Sequence, residues 1–499
     1  MHAGGIRPGG RKRASGVPCS LRRGEPAPAQ PAILRAPARL PATSGRQRHP
    51  PGFLEQCRLP APASAPGAES EATMIRLLAS LLAVFALTAC QPPVRLMPPP
   101  AAFLNSEHNL FGANPNLDQD PQIQVFYATN RAALGSDGAP LYTVFPGGQL
   151  NLGTATLDIG GGGKTWDWLY QQSTTATGER RPQILVDSMT RQASVPTDVA
   201  VEAPGEDAMA WFRSIDQALA SSADPDLTVY VHGANTSIGR ATAQAAQYRH
   251  FTGRNSVVLS YLWPSAENFM RFGHDVSKSG QAGPVFARLV QLLARHTRAR
   301  HINVIGYSSG AMVASPGLAL LGTPAPGYDP HSVRLGEVYF PAPDADFRTF
   351  VDQLQVYHGY PKRVTVTVNM RDSVLVLSRL HQRGSRAGRP DKTELSEEDA
   401  RWMVESSKRL DFDLISARAE DLPGMDRRSH IFWYEDPRVS SDVLLKMLFH
   451  FDPEERGLQR NQTADNLEFW TFPEDYEERL DQVMGELVQA AAAKRATGP

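Results

Sequence analysis

Short segments that are apolar on both faces recur along this chain, separated by segments with helical hydrophobic periodicity. Eight segments are expected to be strands, at residues 124–129, 150–159, 227–231, 256–262, 301–305, 337–340, 364–368 and 411–417. Helical periodicity covers residues 209–219, 241–250, 284–296, 442–449 and 476–493. Strands buried on both faces are typical of parallel sheets covered by helices on both sides. The pattern predicts an α/β fold with a mostly parallel sheet of about eight strands.

Two segments of this pattern are assigned on further grounds, one from a proline and one from composition. Pro284 is placed in the first turn of its helix, where the missing N–H costs nothing. Residues 160–204 are polar and glycine-rich, and no element is assigned to them.

Composition excludes several classes of protein. The 499 residues carry a formal charge of -1, which gives no electrostatic case for binding nucleic acid. The only cysteines are Cys19, Cys57 and Cys90, so the chain beyond them holds no disulfide, zinc-thiolate site or cysteine nucleophile. The sequence has no HExxH motif, Cys/His cluster or phosphate-binding glycine loop, and we expect no catalytic metal and no cofactor.

The strand at 301–305 runs directly into a G-x-S-x-G pattern, residues 306–310, and then into a helical segment. Glycines at both ends of this pattern remove side chains where a sharp turn crowds the backbone. Such a turn holds its central serine in a strained conformation with the hydroxyl presented for reaction. The pattern is weak by itself, but its position between strand and helix predicts Ser308 as a nucleophile. Pro316 and Gly317 are expected to end or kink the helix after about two turns.

A serine nucleophile in such a turn needs two backbone N–H groups to bind the oxyanion. One is expected from Ser309, the residue after the nucleophile. The other is expected from the loop after strand 227–231, at Gly233 or Ala234. The side chain of His232 in the same loop is interpreted as structural.

The acid and the base should follow the serine in chain order. Asp372 follows the strand two after the turn and is the preferred acid, with Asp344 or Asp346 as the alternative. His430, in a turn-rich loop after strand 411–417, is the preferred base, because its place fits a group that takes the serine proton. Three further histidines are candidates for the same role: His358, His381 and His450.

These residues resemble, in order, an uncharacterised bacterial family of α/β-hydrolases that is often described as esterase- or lipase-like. The motifs that carry the resemblance are residues 127–131 (YATNR), 232–237 (HGANTS), 263–265 (WPS), 306–310 (GYSSG), 343–344 (PD), Asp372 with 377–379 (LSR), and 429–430 (SH).

The resemblance covers roughly residues 121–450. It implies an α/β-hydrolase fold, a triad of Ser308, Asp372 and His430, and hydrolysis of a small-molecule or lipid ester, without identifying the substrate. The sequence departs from the family at Tyr307 and Ser309, where the family more often has His and Met. Arg131, Trp263 and Asp275 are interpreted as scaffold residues.

The first ninety residues have a different character. Residues 1–73 are rich in Pro, Ala, Gly and Arg and are expected to be disordered. A charged start at Met74 precedes an apolar run, residues 77–87, which is too short to span a membrane. Residues 87–90 (LTAC) resemble a bacterial lipobox, which implies cleavage before Cys90 and lipid attachment to its thiol.

The predicted organisation has five parts: a disordered leader from a mis-assigned translation start (1–73), a lipoprotein signal peptide (74–89), a tether (90–120), the hydrolase domain (121–455) and a C-terminal helical extension (456–499). Acyl chains on Cys90 would hold the protein on a membrane of the bacterial cell envelope. Gln91, directly after this cysteine, resembles the residue that directs lipoproteins to the outer membrane. We therefore expect the hydrolase domain to face the periplasm from that membrane. The alternative function is a catalytically inactive, lipid-anchored envelope protein with a binding or structural role.

If translation begins at Met74, mass spectrometry of the native protein will find no peptide from residues 1–73. The mature N-terminus will be a lipid-modified Cys90. A single peptide from the first 73 residues contradicts the assignment of the start.

Overall fold

The computed structural model describes residues 93–104, 109–114, 117, 119–175, 181–268, 271–409 and 411–497. In these residues one mostly parallel sheet of eleven strands forms the centre of the fold. Residues 1–73, the predicted signal peptide and Cys90 lie outside the described residues. The strands are β1 (Gln122–Ser136), β2 (Ala139–Ile159), β3 (Ile184–Pro196), β4 (Leu227–Val231), β5 (Val257–Tyr261), β6 (Ile302–Gly306), β7 (Leu335–Pro341), β8 (Arg363–Val368), β9 (Phe412–Ser416), β10 (Gln459–Gln462) and β11 (Glu468–Thr471).

The strand order is β10-β11-β9-β8-β7-β6-β4-β5-β1-β2-β3. Every pair from β11 across to β1 is parallel, and the pairs β1–β2, β2–β3 and β10–β11 are antiparallel. The predicted fold class is therefore confirmed, with eleven strands in place of about eight. Because β4 and β6 lie side by side in the centre, the loops that follow them meet at the carboxyl edge of the sheet.

The helices are α1 (Leu110–Ala113), α2 (Trp166–Thr174), α3 (Glu206–Ser221), α4 (Ile238–Phe251), α5 (Phe272–His296), α6 (Ala311–Gly322), α7 (Phe347–Tyr357), α8 (Ser373–Gln382), α9 (Glu397–Lys408), α10 (Phe432–Glu435), α11 (Pro437–Phe449) and α12 (Tyr476–Thr497). They cover both faces of the sheet with two apolar clusters. None of the helices in the described ranges is long and apolar enough to cross a membrane.

The prediction that Pro284 lies in the first turn of its helix was wrong, and Pro316 does not end the helix in which it lies. Pro284 lies inside α5, which begins twelve residues earlier at Phe272, and Pro316 lies inside α6, which continues to Gly322. The reason is close packing between the two helices. A β-carbon at Gly283 would touch Pro316 at 3.4 Å, and one at Gly317 would lie 2.6 Å from the ring of Phe286.

The segment without an assigned element and the segment predicted as a helical extension contain three further strands. Residues 160–204 include α2 and β3, and residues 456–499 include the β10–β11 hairpin before α12, so they are not only a helical extension. Strand β11 pairs with β9, and Trp470, Tyr476 and Met484 belong to the buried core. The C-terminal segment is therefore part of the same sheet and core.

A buried ion cluster joins β7, β9 and α11. Arg456 is fully buried and places Nη1 2.6 Å from Asp442 Oδ1 and Nη2 3.3 Å from Asp413 Oδ2. The hydroxyl of Tyr339 donates to the second oxygen of Asp442 at 2.7 Å. Burial raises the pKa of both Asp413 and Asp442, and the guanidinium opposes that rise.

Substitution Arg456→Ala is expected to lower the free energy of unfolding by about 3–5 kcal/mol, because it leaves the buried Asp442 without its counter-charge and Asp413 with only Arg363, at 3.3 Å. Arg460→Ala is the control, since Arg460 pairs with Glu468 on an exposed hairpin and its loss should cost about 1 kcal/mol or less. Denaturation by guanidinium measures the free energy of unfolding of both variants. Equal decreases would show that the buried cluster stabilises the fold no more than the exposed ion pair does.

Candidate active site

The predicted nucleophile lies at a sharp turn between β6 and α6. Ser308 has a φ of 52°, a conformation that residues with a β-carbon rarely adopt. Close approach explains the two flanking glycines. A β-carbon at Gly306 would lie 2.8 Å from the Phe340 ring, and one at Gly310 would collide with the Val231 carbonyl oxygen. The turn therefore requires glycine at both positions.

The structure brings Ser308, His430 and Asp372 together. His430 Nε2 lies 2.7 Å from Ser308 Oγ, and His430 Nδ1 lies 2.6 Å from Asp372 Oδ2. Ser308 is 7% exposed and His430 is 9% exposed, so both residues are largely buried but still reach solvent. With Nδ1–H donating to the carboxylate, Nε2 is left to accept a proton from the serine hydroxyl.

Asp372 has a second task at the start of α8. Its Oδ1 accepts hydrogen bonds from the backbone N–H groups of Val374 and Leu375, at 2.9 and 3.0 Å. Aspartate is a favoured residue at a helix start for this reason. Because Oδ1 is bound to the helix, the carboxylate is fixed in rotation and Oδ2 faces the imidazole.

The loop that carries His430 is fastened to the end of β8. The side-chain amide of Asn369 donates to the carbonyls of Ser429 at 2.9 Å and Arg427 at 3.3 Å. Asn369 stands three residues before Asp372, so one short segment holds both the acid and the loop of the base.

Tyr307, which directly precedes the nucleophile, packs beside the imidazole. Its ring centroid lies 5.5 Å from that of His430, and its hydroxyl donates to the His430 carbonyl at 3.4 Å. The ring also packs against Trp433 and Tyr434 of α10. The tyrosine therefore supports the base from the side of the turn.

The loop after β4 lies directly against the nucleophile. A β-carbon at Gly233 would be 3.1 Å from Ser308 Cβ and 3.5 Å from Ser308 Oγ. The predicted oxyanion residues Gly233 and Ala234 are thus in the loop that borders the serine, and Ser309 follows the serine within the turn. Only glycine leaves room for a substrate atom beside the hydroxyl at position 233.

Two scaffold residues hold this loop in place. Asp275 of α5 accepts from the backbone N–H of Asn235 at 2.9 Å and of Ala266 at 2.5 Å. Arg131 of β1 donates from Nε to the Trp263 carbonyl at 3.1 Å and from Nη2 to the Thr236 carbonyl at 3.2 Å. Both side chains are fully buried. Their hydrogen bonds join the loop after β4 to the loop after β5 at the carboxyl edge of the sheet.

His232 has a structural environment. Its ring stacks on Trp263 at 5.3 Å, and the indole Nε1 donates to the His232 carbonyl at 2.7 Å. Burial and the charge of Arg131 lower the pKa of His232 to about 3, so its imidazole stays neutral.

Asp344, the second candidate for the acid, instead supports the turn from below. Its Oδ1 accepts from Arg386 Nε at 2.7 Å and Ser378 Oγ at 2.6 Å, and its Oδ2 accepts from Ser309 Oγ at 3.1 Å. The Asp344 backbone N–H donates to the Ser308 carbonyl at 2.9 Å. This aspartate therefore holds the nucleophile in position and does not contact the imidazole.

The remaining candidate acid and bases lie away from the turn. Asp346 caps the start of α7 through the N–H of Thr349. The three candidate histidines besides His430 have neighbours elsewhere: His358 faces Asp411, His381 packs on Phe272, and His450 contacts Asp226.

The sequence predicts the walls of a substrate pocket in two segments, residues 160–204 and 380–410. A cavity of about 630 Å³ over β8 and β9 is lined in part by residues from the second segment, including Ala387, Leu395 and Met403. Its lining includes none of the three triad residues and nothing from 160–204. The cavity is therefore separate from the nucleophile.

The parallel sheet and the serine turn at its carboxyl edge define an α/β-hydrolase fold. Residues 207–425 match the model of a family described as "Alpha/beta hydrolase of unknown function (DUF900)". The predicted resemblance to an uncharacterised α/β-hydrolase family is confirmed over these residues, which include Ser308 and Asp372 and end five residues before His430. No curated protein and no solved structure matches the chain.

The two candidate acids should differ in their effect on stability. Asp344→Asn leaves the buried Arg386 without its counter-charge, and we expect a loss of about 3–5 kcal/mol in the free energy of unfolding. Asp372→Asn keeps an oxygen for the helix start and should cost about 1 kcal/mol or less. Chemical denaturation measures both, and a larger loss for Asp372→Asn would contradict this division of roles.

Proposed function

We propose that this protein is a serine hydrolase that cleaves a carboxylic ester through an acyl-enzyme. The observation that carries the proposal is the hydrogen-bonded series from Ser308 Oγ to His430 Nε2, at 2.7 Å, and from His430 Nδ1 to Asp372 Oδ2, at 2.6 Å. The family match supports a hydrolase scaffold without naming a reaction.

In the first half of the reaction, His430 takes the proton of Ser308 as Oγ attacks the ester carbonyl carbon. The carbonyl oxygen becomes an oxyanion, which the N–H groups of Ser309 and of Gly233 or Ala234 would bind. Each such donor contributes about 3 kcal/mol to the lowering of the barrier. The C–O bond then breaks, and His430 gives its proton to the departing alcohol.

In the second half, a water molecule repeats the attack on the acyl-serine. His430 accepts a proton from the water and returns it to Ser308 Oγ, which releases the carboxylic acid. Asp372 stabilises the imidazolium in both halves. The mechanism needs no metal at the serine and no cofactor.

Exposed apolar residues on the segments that carry the acid and the base support an ester with an apolar acyl group. In α8, which begins after Asp372, Leu377 is 48% exposed and Leu380 is 75% exposed. Ile431, immediately after His430, is 40% exposed. An exposed apolar surface is suited to contact with an apolar partner.

The proposal includes attachment to a membrane of the bacterial cell envelope through acyl chains on Cys90. Its support is the lipobox-like sequence of residues 87–90 after a short apolar run. An anchored esterase would act on small-molecule or lipid esters near that membrane. Nucleic acid is not among the proposed partners.

The test is hydrolysis of p-nitrophenyl esters of increasing chain length together with labelling by a fluorophosphonate probe. Ser308→Ala is expected to lose the label and to lower kcat/KM by about 10³-fold or more, because the nucleophile is gone. Ser315→Ala is the matched control, since Ser315 is a buried serine in α6, the helix after the turn, and its hydroxyl contacts Tyr357.

A wild-type protein that takes no label and cleaves none of these esters would contradict the proposal and favour an inactive envelope protein. Equal labelling of the wild type and Ser308→Ala would assign the reactive group to another residue.

A further inference from the structure

A second cluster of reactive side chains lies at the amino edge of the sheet, opposite the triad. Asp226 directly precedes β4, His301 directly precedes the neighbouring β6, and His450 follows the last residue of α11. Each offers one ligand atom, and the three atoms lie within 4.8 Å of one another. Parallel pairing of β4 with β6 brings the first two residues together, although 75 positions separate them in the chain.

The distances suit a small cation. His301 Nδ1 lies 3.2 Å from Asp226 Oδ1, and His450 Nε2 lies 2.9 Å from Asp226 Oδ2. Ligand atoms of a tetrahedral zinc ion, with bonds of about 2.0–2.1 Å, are roughly 3.3 Å apart. Small side-chain movements are therefore enough to place one ion between the three atoms.

An outer carboxylate orients one of the histidines. His450 Nδ1 lies 3.1 Å from Glu337 Oε1, and Glu337 is fixed in turn by the buried Lys446 at 3.0 Å. Donation of Nδ1–H to Glu337 presents the Nε2 lone pair to Asp226 and His301. Carboxylates behind histidine ligands are a general feature of metal sites in proteins.

Burial and charge also favour a cation here. Asp226 is fully buried, and Asp224, two residues earlier, is 6% exposed with one carboxylate oxygen that has no hydrogen-bond partner. Arg300 contacts Asp226 Oδ1 at 3.0 Å and lies 3.4 Å from His450 Nε2, so an ion would displace this guanidinium, whose side chain is 51% exposed, outward into solvent. The two histidines are partly exposed, at 23% and 14%, which gives an ion a path from solvent.

We propose that Asp226, His301 and His450 bind a divalent transition-metal ion of the zinc class, with water in the remaining position. Two imidazoles and one carboxylate select zinc, cobalt or nickel over magnesium and calcium. The ion would join the starts of two central strands to the end of α11. The length of a five-residue strand, about 16 Å, separates this site from the triad, so the ion is structural and takes no part in ester hydrolysis.

The experiment uses the full-length protein after treatment with EDTA, titrated with CoCl₂ and with ZnSO₄. We expect one Co²⁺ per chain with the visible absorption of four-coordinate cobalt, displaced by Zn²⁺. Zn²⁺ should also raise the melting temperature, because it binds only the folded state.

Variants His301→Gln and His450→Gln should weaken binding by more than the roughly 10–100-fold cost of removing an outer partner. His358→Gln is the matched control, since His358 lies 4.0 Å from Asp411 and packs on Trp402, away from the cluster, and it should bind as the wild type does. Esterase activity of the metal-free protein should remain unchanged, which separates this test from that of the proposed function.

Absence of cobalt binding by the wild type, or equal binding by His450→Gln, would overturn the proposal and leave a cluster of hydrogen-bonded ion pairs. X-ray absorption at the cobalt edge of the wild type gives a second measurement if a variant fails to fold. Two imidazoles and oxygen ligands are expected, and a shell without imidazole would also overturn it.

Discussion

The positive φ of Ser308 is the constraint on which the rest of the site depends. A residue with a β-carbon stays in this conformation only when its surroundings fix it, at a cost of about 1–3 kcal/mol. Here the Asp344 N–H holds the Ser308 carbonyl, and the backbone of β4 presses against Gly310. The same turn aims the hydroxyl at His430 and brings it against Gly233.

Buried charged groups, and not apolar contacts alone, fix the loops around this turn. Asp344 is paired with Arg386, and Arg131 and Asp275 bind the backbone of the loops after β4 and β5. A buried ion pair adds little net stability, but breaking one is costly. These buried interactions therefore specify one arrangement of the loops. A site that binds an oxyanion through backbone N–H groups needs such a fixed arrangement.

The centre of the fold could be predicted from the sequence alone, and the sequence also selected Ser308, Asp372 and His430 as candidates. Strands β4 to β9 are short and largely buried on both faces. The order of serine, acid and base along the chain selected three residues that the structure brings together. Edge elements were harder to predict. Strand β3 has one solvated face, and β10 is the polar segment QRNQ, so neither has the hydrophobic pattern of a central strand.

Other features depend on contacts that no local pattern contains. Pro316 continues a helix because Gly283 and Gly317 let α5 and α6 approach closely. The cluster of Asp226, His301 and His450 has no motif spacing, since two strands and a helix assemble it from distant positions. The role of Asp344 became clear only from its bonds to Arg386 and Ser309.

The double use of Asp372 limits which amino acid can stand there. One oxygen holds the first turn of α8 and the other faces His430, and both bonds depend on a single short side chain. Glutamate has the same charge, but its extra methylene would carry the carboxylate past the backbone amides or away from the imidazole. Charge alone is therefore not enough at this position, and a change that suits one partner would displace the other.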